Sequence, residues 1–280
     1  MTPLRQKMID EMLMHGFAER TKSTYLNAVI LLAKHYHQSP DTLSPEQIKR
    51  YFLYLIKERK LSPASCRLCL NALKFLYVEV LKQTWFNDMK LVIPKKAQRI
   101  PELLSHAEVI RILSSCHNQK HHALLSTCYA CGLRVGELVG LQLRHLDYDR
   151  HVVRIEQGKG RKDRLLLFTD HLILLLQRYC QTHRPQSWLF YGAHRQTPLH
   201  VSSAERVYTY AKTAANIKKV GGIHSLRHAY ATHQLEAGVP VHQLQHLMGH
   251  KDIHSTLHYV HWNPTLPQGA GVDLLPGNLS

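Results

Sequence analysis

The stretch HVVRIEQGKGRKDRLLLF, residues 151–168, is patterned for β-structure in a chain whose other periodic segments favour helices. Residues 151–156 and 164–168 are rich in β-branched and large apolar side chains, which are typical of strands. The residues between them, 158–163, combine glycines with charged side chains and predict a turn. The stretch therefore predicts a β-hairpin with a basic tip, and the whole chain predicts a mostly α fold with a small β-sheet (α+β).

The first third of the chain is patterned for helices alone. Two apolar-periodic stretches, 4–15 and 20–37, are followed by two helix starts in which serine precedes proline, at Ser44-Pro45 and at Ser62-Pro63. A serine cap with proline at the first helical position is a strong start signal. Four helices are enough for a small bundle, so we predict a helical domain over residues 1–90.

A basic segment bounded by prolines separates this domain from the rest. Residues 91–101 contain Pro94 and Pro101 and predict a linker lying near phosphate. Beyond the linker, capped helices and the hairpin predict a second, mixed domain over residues 102–262. Residues 263–280 are interrupted by proline and glycine, so we predict an extended tail there.

The charge of the chain favours a polyanionic partner. The 280 residues have a formal net charge of +16 and include 22 histidines, which add positive charge on mild acidification. Residues 1–97 carry 16 basic and 8 acidic side chains, and the remainder carries 20 and 12. We expect two basic surfaces that face one polyanion, DNA or RNA. A basic surface with no such function is the alternative.

The apolar residues and the cysteines predict a cytoplasmic protein without a membrane partner. No apolar run is long enough to span a bilayer, and the N-terminus lacks the core of a signal peptide. The six cysteines are then thiols. Cys66/Cys69 and Cys128/Cys131 have a spacing found in zinc sites. Both pairs lie in amphipathic stretches, where this spacing places two apolar residues on one helix face, so we predict packing thiols and neither metal nor cofactor.

Six residues of the second domain are suited to a phosphodiester: Arg134, Lys159, His224, Arg227, His250 and Tyr259. A guanidinium holds two phosphate oxygens, an imidazole moves protons, and a phenol attacks phosphorus. A lysine at the hairpin tip can protonate a leaving oxygen. The candidate chemistry is metal-free phosphoryl transfer through a covalent phosphotyrosine.

Each of these residues has a plainer interpretation by itself. A single arginine in a basic protein is usually a solvated surface charge, and the lysine at the hairpin tip suits a generic phosphate contact. The chain has 13 tyrosines, among which composition cannot choose. His228 and Tyr230 are predicted to be packing residues of the helix around residues 226–236 rather than reactive groups.

Four segments, in their order and spacing, carry a resemblance to a known family: CGLRVGEL at 131–138, GKGRKDR at 158–164, HSLRHAYATH at 224–233, and MGH at 248–250 leading to HYVH at 258–261. With these segments the chain resembles the tyrosine recombinase (phage integrase) family over essentially its full length. The first domain is similar to the SAM-like core-binding domain of that family, and the second is similar to its catalytic domain.

The resemblance implies how the scissile phosphate is held. Arg134 and Arg227 clamp the phosphate and stabilise charge on its equatorial oxygens, and His250 donates a hydrogen bond to it. Glu137 matches an acidic position that supports the site without reacting.

The resemblance also implies the covalent chemistry. Tyr259 attacks phosphorus to give a 3′-phosphotyrosyl link, His224 accepts the proton of the nucleophile, and Lys159 protonates the 5′-hydroxyl leaving group. This division is physically reasonable, because a phenol with a pKa of about 10 needs a proton acceptor and concentrated positive charge to attack at neutral pH.

A two-domain site-specific recombinase is the function that the resemblance implies. Its partners would be double-stranded DNA and three further copies of the chain, in a homotetramer on paired sites that exchanges strands through a Holliday junction. DNA binding would place the protein on the nucleoid in the cytoplasm. The candidate DNA contacts are Lys22, Arg67, Lys74, Lys95, Lys96, Arg161 and Lys162.

Three other classes are weighed against recombination. A type IB topoisomerase has similar catalytic chemistry but relaxes DNA alone, and a catalytically silent DNA-binding protein would not need all six residues. A metal-dependent nuclease or transposase needs converging carboxylates. The close pair Asp147 and Asp149 is instead patterned as turn residues.

Overall fold

The computed structural model describes residues 2–89, 91, 101–156 and 163–262. The chain divides into two compact units, residues 1–99 and 100–280, and each has a hydrophobic core of its own. Most of the predicted linker, the tip of the hairpin and the predicted tail lie outside the described residues.

The first unit is helical throughout its described part. Its helices are α1 (Pro3–Met14), α2 (Glu19–Tyr36), α3 (Pro45–Lys57), α4 (Pro63–Lys74) and α5 (Trp85–Asp88). A π-helical segment, Phe75–Val80, continues directly from α4. The four predicted helices are confirmed, and the short α5 is an addition to them.

Local capping determines where two of these helices begin. The Ser44 Oγ accepts from the backbone N–H of Gln47 at 3.3 Å, and the Gln47 side chain accepts from the backbone N–H of Ser44 at 2.8 Å. The Ser62 Oγ accepts from the backbone N–H of Ser65 at 3.2 Å. Each bond satisfies an amide that has no partner within the helix. The predicted helix starts are therefore confirmed together with their cause.

The second unit combines eight described helices with a three-stranded sheet. The helices are α6 (His106–Ser114), α7 (Gln119–Ala130), α8 (Val135–Val139), α9 (Asp170–His183), α10 (Val201–Ala214), α11 (His224–Glu236), α12 (Val241–Met248) and α13 (His254–Trp262). The strands are β1 (Leu146–Asp147), β2 (Val152–Ile155) and β3 (Arg164–Leu167). The mostly α fold with a small β-sheet is confirmed.

The sheet is antiparallel in the order β1-β2-β3, and its β2–β3 part is the predicted hairpin. Ile155 pairs with Arg164, and the side chains of β3 alternate so that Arg164 is buried while Leu165 is exposed. Strand β1 was not predicted, because two residues are too few for a period-two pattern to show. Asp147, interpreted from sequence as a turn residue, pairs with Val152 in that strand.

Helix α11 lies at the centre of the second unit, in contact with α6, α7, α12 and α13. Leu226 and Ala229 on this helix are fully buried. The two cysteine pairs with Cys-x-x-Cys spacing are buried in the two cores: Cys66 and Cys69 in the first unit, and Cys128 and Cys131 in the second. This packing agrees with the helix-face interpretation of their spacing.

Candidate active site

The ends of three helices and one face of a fourth bring together five of the six predicted residues. Arg134 is the N-cap residue of α8, His224 and Arg227 lie in the first turn of α11, His250 follows the end of α12, and Tyr259 is on α13. Helices α11, α12 and α13 contact one another directly. The sixth residue, Lys159, lies outside the described residues.

Arg227 is the most deeply buried of these side chains, with only 1% of its surface exposed. Its guanidinium donates to the carbonyl oxygen of Gly132 and, at 2.6 Å, to that of Met248. Burial and the charge of Arg134 lower the pKa of Arg227 to about 10. The group therefore remains protonated near neutral pH, and backbone carbonyls fix its orientation.

Glu137 gathers the arginines around one carboxylate. Arg134 Nη1 donates to Glu137 Oε1 at 2.8 Å. Arg164 forms a two-pronged pair with the same carboxylate, with N–O distances of 2.9 and 2.8 Å. Arg227 Nη1 lies 3.9 Å from Glu137 Oε2. Three guanidinium groups share one carboxylate, which leaves two positive charges that Glu137 does not neutralise, and such an excess favours an anion.

Arg164 is a residue of the site that sequence reasoning missed. Its Nε donates to the carbonyl oxygen of Leu247 at 3.0 Å, so the side chain joins β3, Glu137 and the end of α12. The sequence predicts that Arg164 lies in the basic hairpin but predicts no role for this residue. An arginine at the inward position of a strand is the signal that would have found it, because a buried charge requires a partner.

Two glycines with positive φ carry carbonyls that hold the arginines. Gly132 has φ +57° and accepts from Arg227, and Gly249 has φ +59° and accepts from Arg134 at 3.1 Å. Residues other than glycine are strained in this conformation. The glycines of the two motif segments, CGLR and MGH, are therefore part of how the arginines are positioned.

We expect Gly132→Ala to destabilise the second unit by roughly 3 kcal/mol, because a left-handed backbone strain adds to a clash. A Cβ at this position would lie 2.3 Å from Cδ1 of the buried Tyr230 ring. Urea unfolding measures the change. Gly136→Ala is the matched control, since its Cβ meets nothing within 4 Å; it should be neutral or slightly stabilising in a helix. Equal losses in both variants would contradict this account.

His250 is held by two hydrogen bonds that specify its tautomer. Its Nε2 lies 3.1 Å from Arg227 Nη2, and its Nδ1 lies 2.8 Å from the Thr256 hydroxyl. Because a guanidinium can only donate, Nε2 must accept, and the ring proton resides on Nδ1. Burial and the charge of Arg227 lower the pKa of His250 to about 4. The imidazole is therefore neutral in the protein without DNA.

Tyr259 lies in the site of its own chain and is 4% exposed. Its ring is parallel to that of His250, with centroids 6.3 Å apart, and its edge meets Trp262 at 5.4 Å. Burial raises the pKa of the phenol, and the charges of Arg227 and Arg134 oppose that rise. The net shift is upward, so the phenol is protonated near neutral pH, and the neighbouring cations reduce the cost of ionising it.

The phenol contacts His228. The Tyr259 Oη lies 3.1 Å from His228 Nδ1, whereas His224 is exposed and contacts the ring of His228, with centroids 4.7 Å apart. His228 packs against Tyr259 and Trp262 as predicted, and its contact with the phenol oxygen was not predicted. The reason is that α13 places Tyr259 beside the second turn of α11, which the spacing along α11 does not reveal. Tyr230, by contrast, is buried packing as predicted.

The predicted DNA contacts lie in different surroundings. Arg67 and Lys74 are exposed and two turns apart on α4. Lys22 is 8% exposed, and its amine forms an ion pair with Glu19. Such a lysine is a poor surface contact for phosphate. Lys95, Lys96, Arg161 and Lys162 lie outside the described residues.

Comparison with protein families identifies both parts of the chain. The family model described as the phage integrase family matches residues 97–265, and the model described as the phage integrase N-terminal SAM-like domain matches residues 4–87. The chain belongs to the phage integrase family. Within the part of this integrase that the structure describes, no helix is both long and apolar enough to cross a membrane.

Named relatives of this integrase are recombinases. It is 39% identical to a putative integrase/recombinase of Sinorhizobium fredii over 99% of this chain and 90% of that protein. It is 30% identical to the tyrosine recombinase XerD of Yersinia pestis over 92% of each chain. Tyrosine recombinases are an enzyme class that transfers DNA strands, so neither the topoisomerase nor the silent DNA-binding alternative is favoured.

Solved structures agree with this integrase assignment. The crystal structure of XerA recombinase matches with a TM-score of 0.55 and 26% identity, covering 93% of this chain and 94% of that one. The Tn1549 transposon integrase in complex with a circular intermediate DNA matches with a TM-score of 0.71 and 19% identity, covering 91% and 94%. At the lower identity the match shows the shared fold.

Proposed function

We propose that this chain is a site-specific DNA recombinase that cuts and rejoins strands through a 3′-phosphotyrosyl link to Tyr259. One observation supports this most directly: the Tyr259 phenol is buried within its own chain beside His250, which contacts the guanidinium of Arg227. A nucleophile beside a preorganised cationic pocket is what in-line attack on a phosphodiester requires.

The pocket binds the scissile phosphate through Arg134 and Arg227. Both guanidinium groups are oriented by backbone carbonyls and by Glu137, so little reorganisation accompanies binding. His250 donates to the phosphate only after its proton moves from Nδ1 to Nε2. The Thr256 hydroxyl permits this change, because a hydroxyl can donate to Nδ1 as well as accept from it.

The leaving group takes its proton from Lys159 in this proposal. The role rests on the position of Lys159 in the GKGRKDR segment, and strands β2 and β3 flank that segment. Arg164 ties β3 to the carboxylate that also holds Arg134. The base of the hairpin and the phosphate pocket are thereby one hydrogen-bonded unit.

Double-stranded DNA is the proposed substrate, and four copies of the chain on two paired sites are the proposed assembly. Covalent capture conserves the energy of the phosphodiester bond, so strands are rejoined without ATP. The net charge of +16 predicts binding that weakens steeply with salt. Arg67 and Lys74, exposed on α4, are proposed backbone or base contacts. A chromosomal substrate places the protein on the nucleoid, in the cytoplasm.

Covalent trapping tests the proposal without knowledge of the DNA site. The probe is a library of nicked duplexes with a randomised central window, incubated with the protein in EDTA and then denatured in SDS. We expect an adduct in which the 3′ end of the cut strand is joined to the protein and a free 5′-hydroxyl is released. An adduct through the 5′ end, or cleavage that requires a divalent metal, would overturn the mechanism.

A further inference from the structure

His228 is the side chain that meets the reacting oxygen of Tyr259. Its Nδ1 lies 3.1 Å from the phenol Oη. Its ring also meets the ring of Tyr259 with a centroid distance of 5.6 Å and the edge of Trp262 at 5.9 Å. Packing against two rings fixes the orientation of the imidazole toward the phenol. His228 has no role in the phosphate binding proposed for Arg134, Arg227 and His250.

His224, one turn earlier on α11, occupies a different position. It is the first residue of the helix and is exposed, and its ring meets His228 edge to face. The fields of Arg227 and Arg134 act on it. His224 is therefore subject to the charges of the two arginines, whereas His228 contacts the phenol.

We infer that His228 accepts the phenolic proton of Tyr259 as the phenol attacks phosphorus. The inference rests on the proposed strand cleavage and reassigns one step of it. In the tautomer that carries its proton on Nε2, the lone pair of Nδ1 faces the phenol.

The step balances without a further reactant. The proton passes from Oη to Nδ1, the Oη–P bond forms, and the bond from phosphorus to the 5′ oxygen breaks. The 5′ oxygen takes its proton from Lys159, the proposed general acid. In the rejoining step the 5′-hydroxyl attacks phosphorus and gives its proton to Lys159, the Oη–P bond breaks, and protonated His228 returns its proton to Oη.

The surroundings of His228 leave Nδ1 unprotonated in the free protein, and they also make it a weak base. Burial and the charges of His224 and Arg227 lower the pKa of His228 to about 4, so Nδ1 is free of a second proton before DNA binds. Tyr259 contacts the ring of His228 from α13, and the ring of His250 is parallel to that of Tyr259 at a centroid distance of 6.3 Å. A bound phosphate neutralises part of the charge of Arg227, which raises the affinity of His228 for the proton when the acceptor is needed.

The decisive variant is His228→Asn, because the amide oxygen takes the place of Nδ1 and accepts the hydrogen bond but not the proton. Single-turnover adduct formation on the nicked duplex is measured from neutral to alkaline pH. We expect a rate lower by about 100-fold near neutral pH. The rate should then rise by up to tenfold per pH unit, because the phenol ionises without help. The wild-type rate should rise much less.

His224→Asn is the matched comparison. It should lower the rate without the added alkaline recovery, since the acceptor is intact. A His228→Asn rate within about threefold of wild type near neutral pH would reduce His228 to a hydrogen-bond partner. An alkaline recovery confined to His224→Asn would assign the proton to His224. If wild type forms no adduct, the proposed recombinase function fails first, so the two failures are distinguishable.

A measurement on the wild-type protein covers the case in which His228→Asn fails to fold. Nitrogen-15 NMR distinguishes the two neutral tautomers of a histidine ring. We expect Nδ1 of His228 without a proton and Nε2 with one in the free protein. A proton resident on Nδ1 would overturn the inference, because that tautomer cannot accept from the phenol.

Discussion

Tyr259→Phe should abolish the covalent protein–DNA adduct. In the proposed mechanism the phenolic oxygen is the nucleophile, and phenylalanine has no group in its place. The variant should fold, because the ring retains its contacts with His250 and Trp262. The lost hydrogen bond to His228 costs about 1 kcal/mol. The measurement is the fraction of nicked duplex that stays attached to protein in SDS.

Two controls make this result specific to Tyr259. Tyr210→Phe changes a tyrosine that is 73% exposed, and it should leave the adduct unchanged. Tyr259→Phe should still retard the DNA in a gel, because Arg134 and Arg227 are intact. An adduct of wild-type yield in Tyr259→Phe would mean that another of the tyrosines is the nucleophile.

Glu137→Gln should lower the stability of the second unit by about 3 to 5 kcal/mol. The carboxylate pairs with Arg164 and Arg134, and it lies near Arg227, whose side chain is 1% exposed. The amide keeps the shape but turns one acceptor into a donor that faces guanidinium groups. Buried cations without a counterion account for the loss. Urea unfolding measures the loss. Glu156→Gln, which weakens the more exposed contacts of Glu156 with Arg144, Arg154 and His145, should cost only about 1 kcal/mol.

The loss in Glu137→Gln should depend on pH. Burial alone raises the pKa of the Glu137 carboxyl, but hydrogen bonds from Arg164, its charge and the bonds from Arg134 outweigh burial and lower the pKa to about 2. The stabilisation is complete above the unfolded pKa near 4.5, declines below it and is lost as pH falls through about 2. The two proteins should therefore converge in stability as the solution is acidified. A constant difference down to the folded pKa would contradict the assigned charge.

The arginines explain why the site is assembled from helix ends. The carbonyls of Gly132, Met248 and Gly249 lie at the ends of α7 and α12, where they lack partners within a helix. These carbonyls accept from Arg227 and Arg134, so each guanidinium satisfies a helix terminus and gains a fixed orientation. Loss of the positive-φ conformation at Gly132 or Gly249 would disturb both the helix end and the orientation of the arginine bound to it.

Much of the fold follows from interactions within a few residues of the chain. The helix starts at Ser44 and Ser62 depend on side chains that bond amides three residues away. The hairpin depends on two apolar runs around a turn. Such signals are complete in the local sequence, so helices, strands and residue types suited to a phosphodiester were predictable.

The arrangement of the arginines in the candidate site depends on contacts between distant segments. Arg164 meets Leu247, Arg134 meets Gly249, and Arg227 meets Gly132, across separations of 83, 115 and 95 residues. No local period encodes these contacts, and for this reason the role of Arg164 was missed.

The sequence by itself determined the helical architecture, the hairpin and the set of residues able to act on phosphorus, because propensity, capping and charge act locally. Only the tertiary structure decided that three arginines share Glu137 and that Tyr259 faces His228 rather than His224. The packing of α13 against α11 sets that choice, since it fixes which turn of one helix meets a side chain of the other.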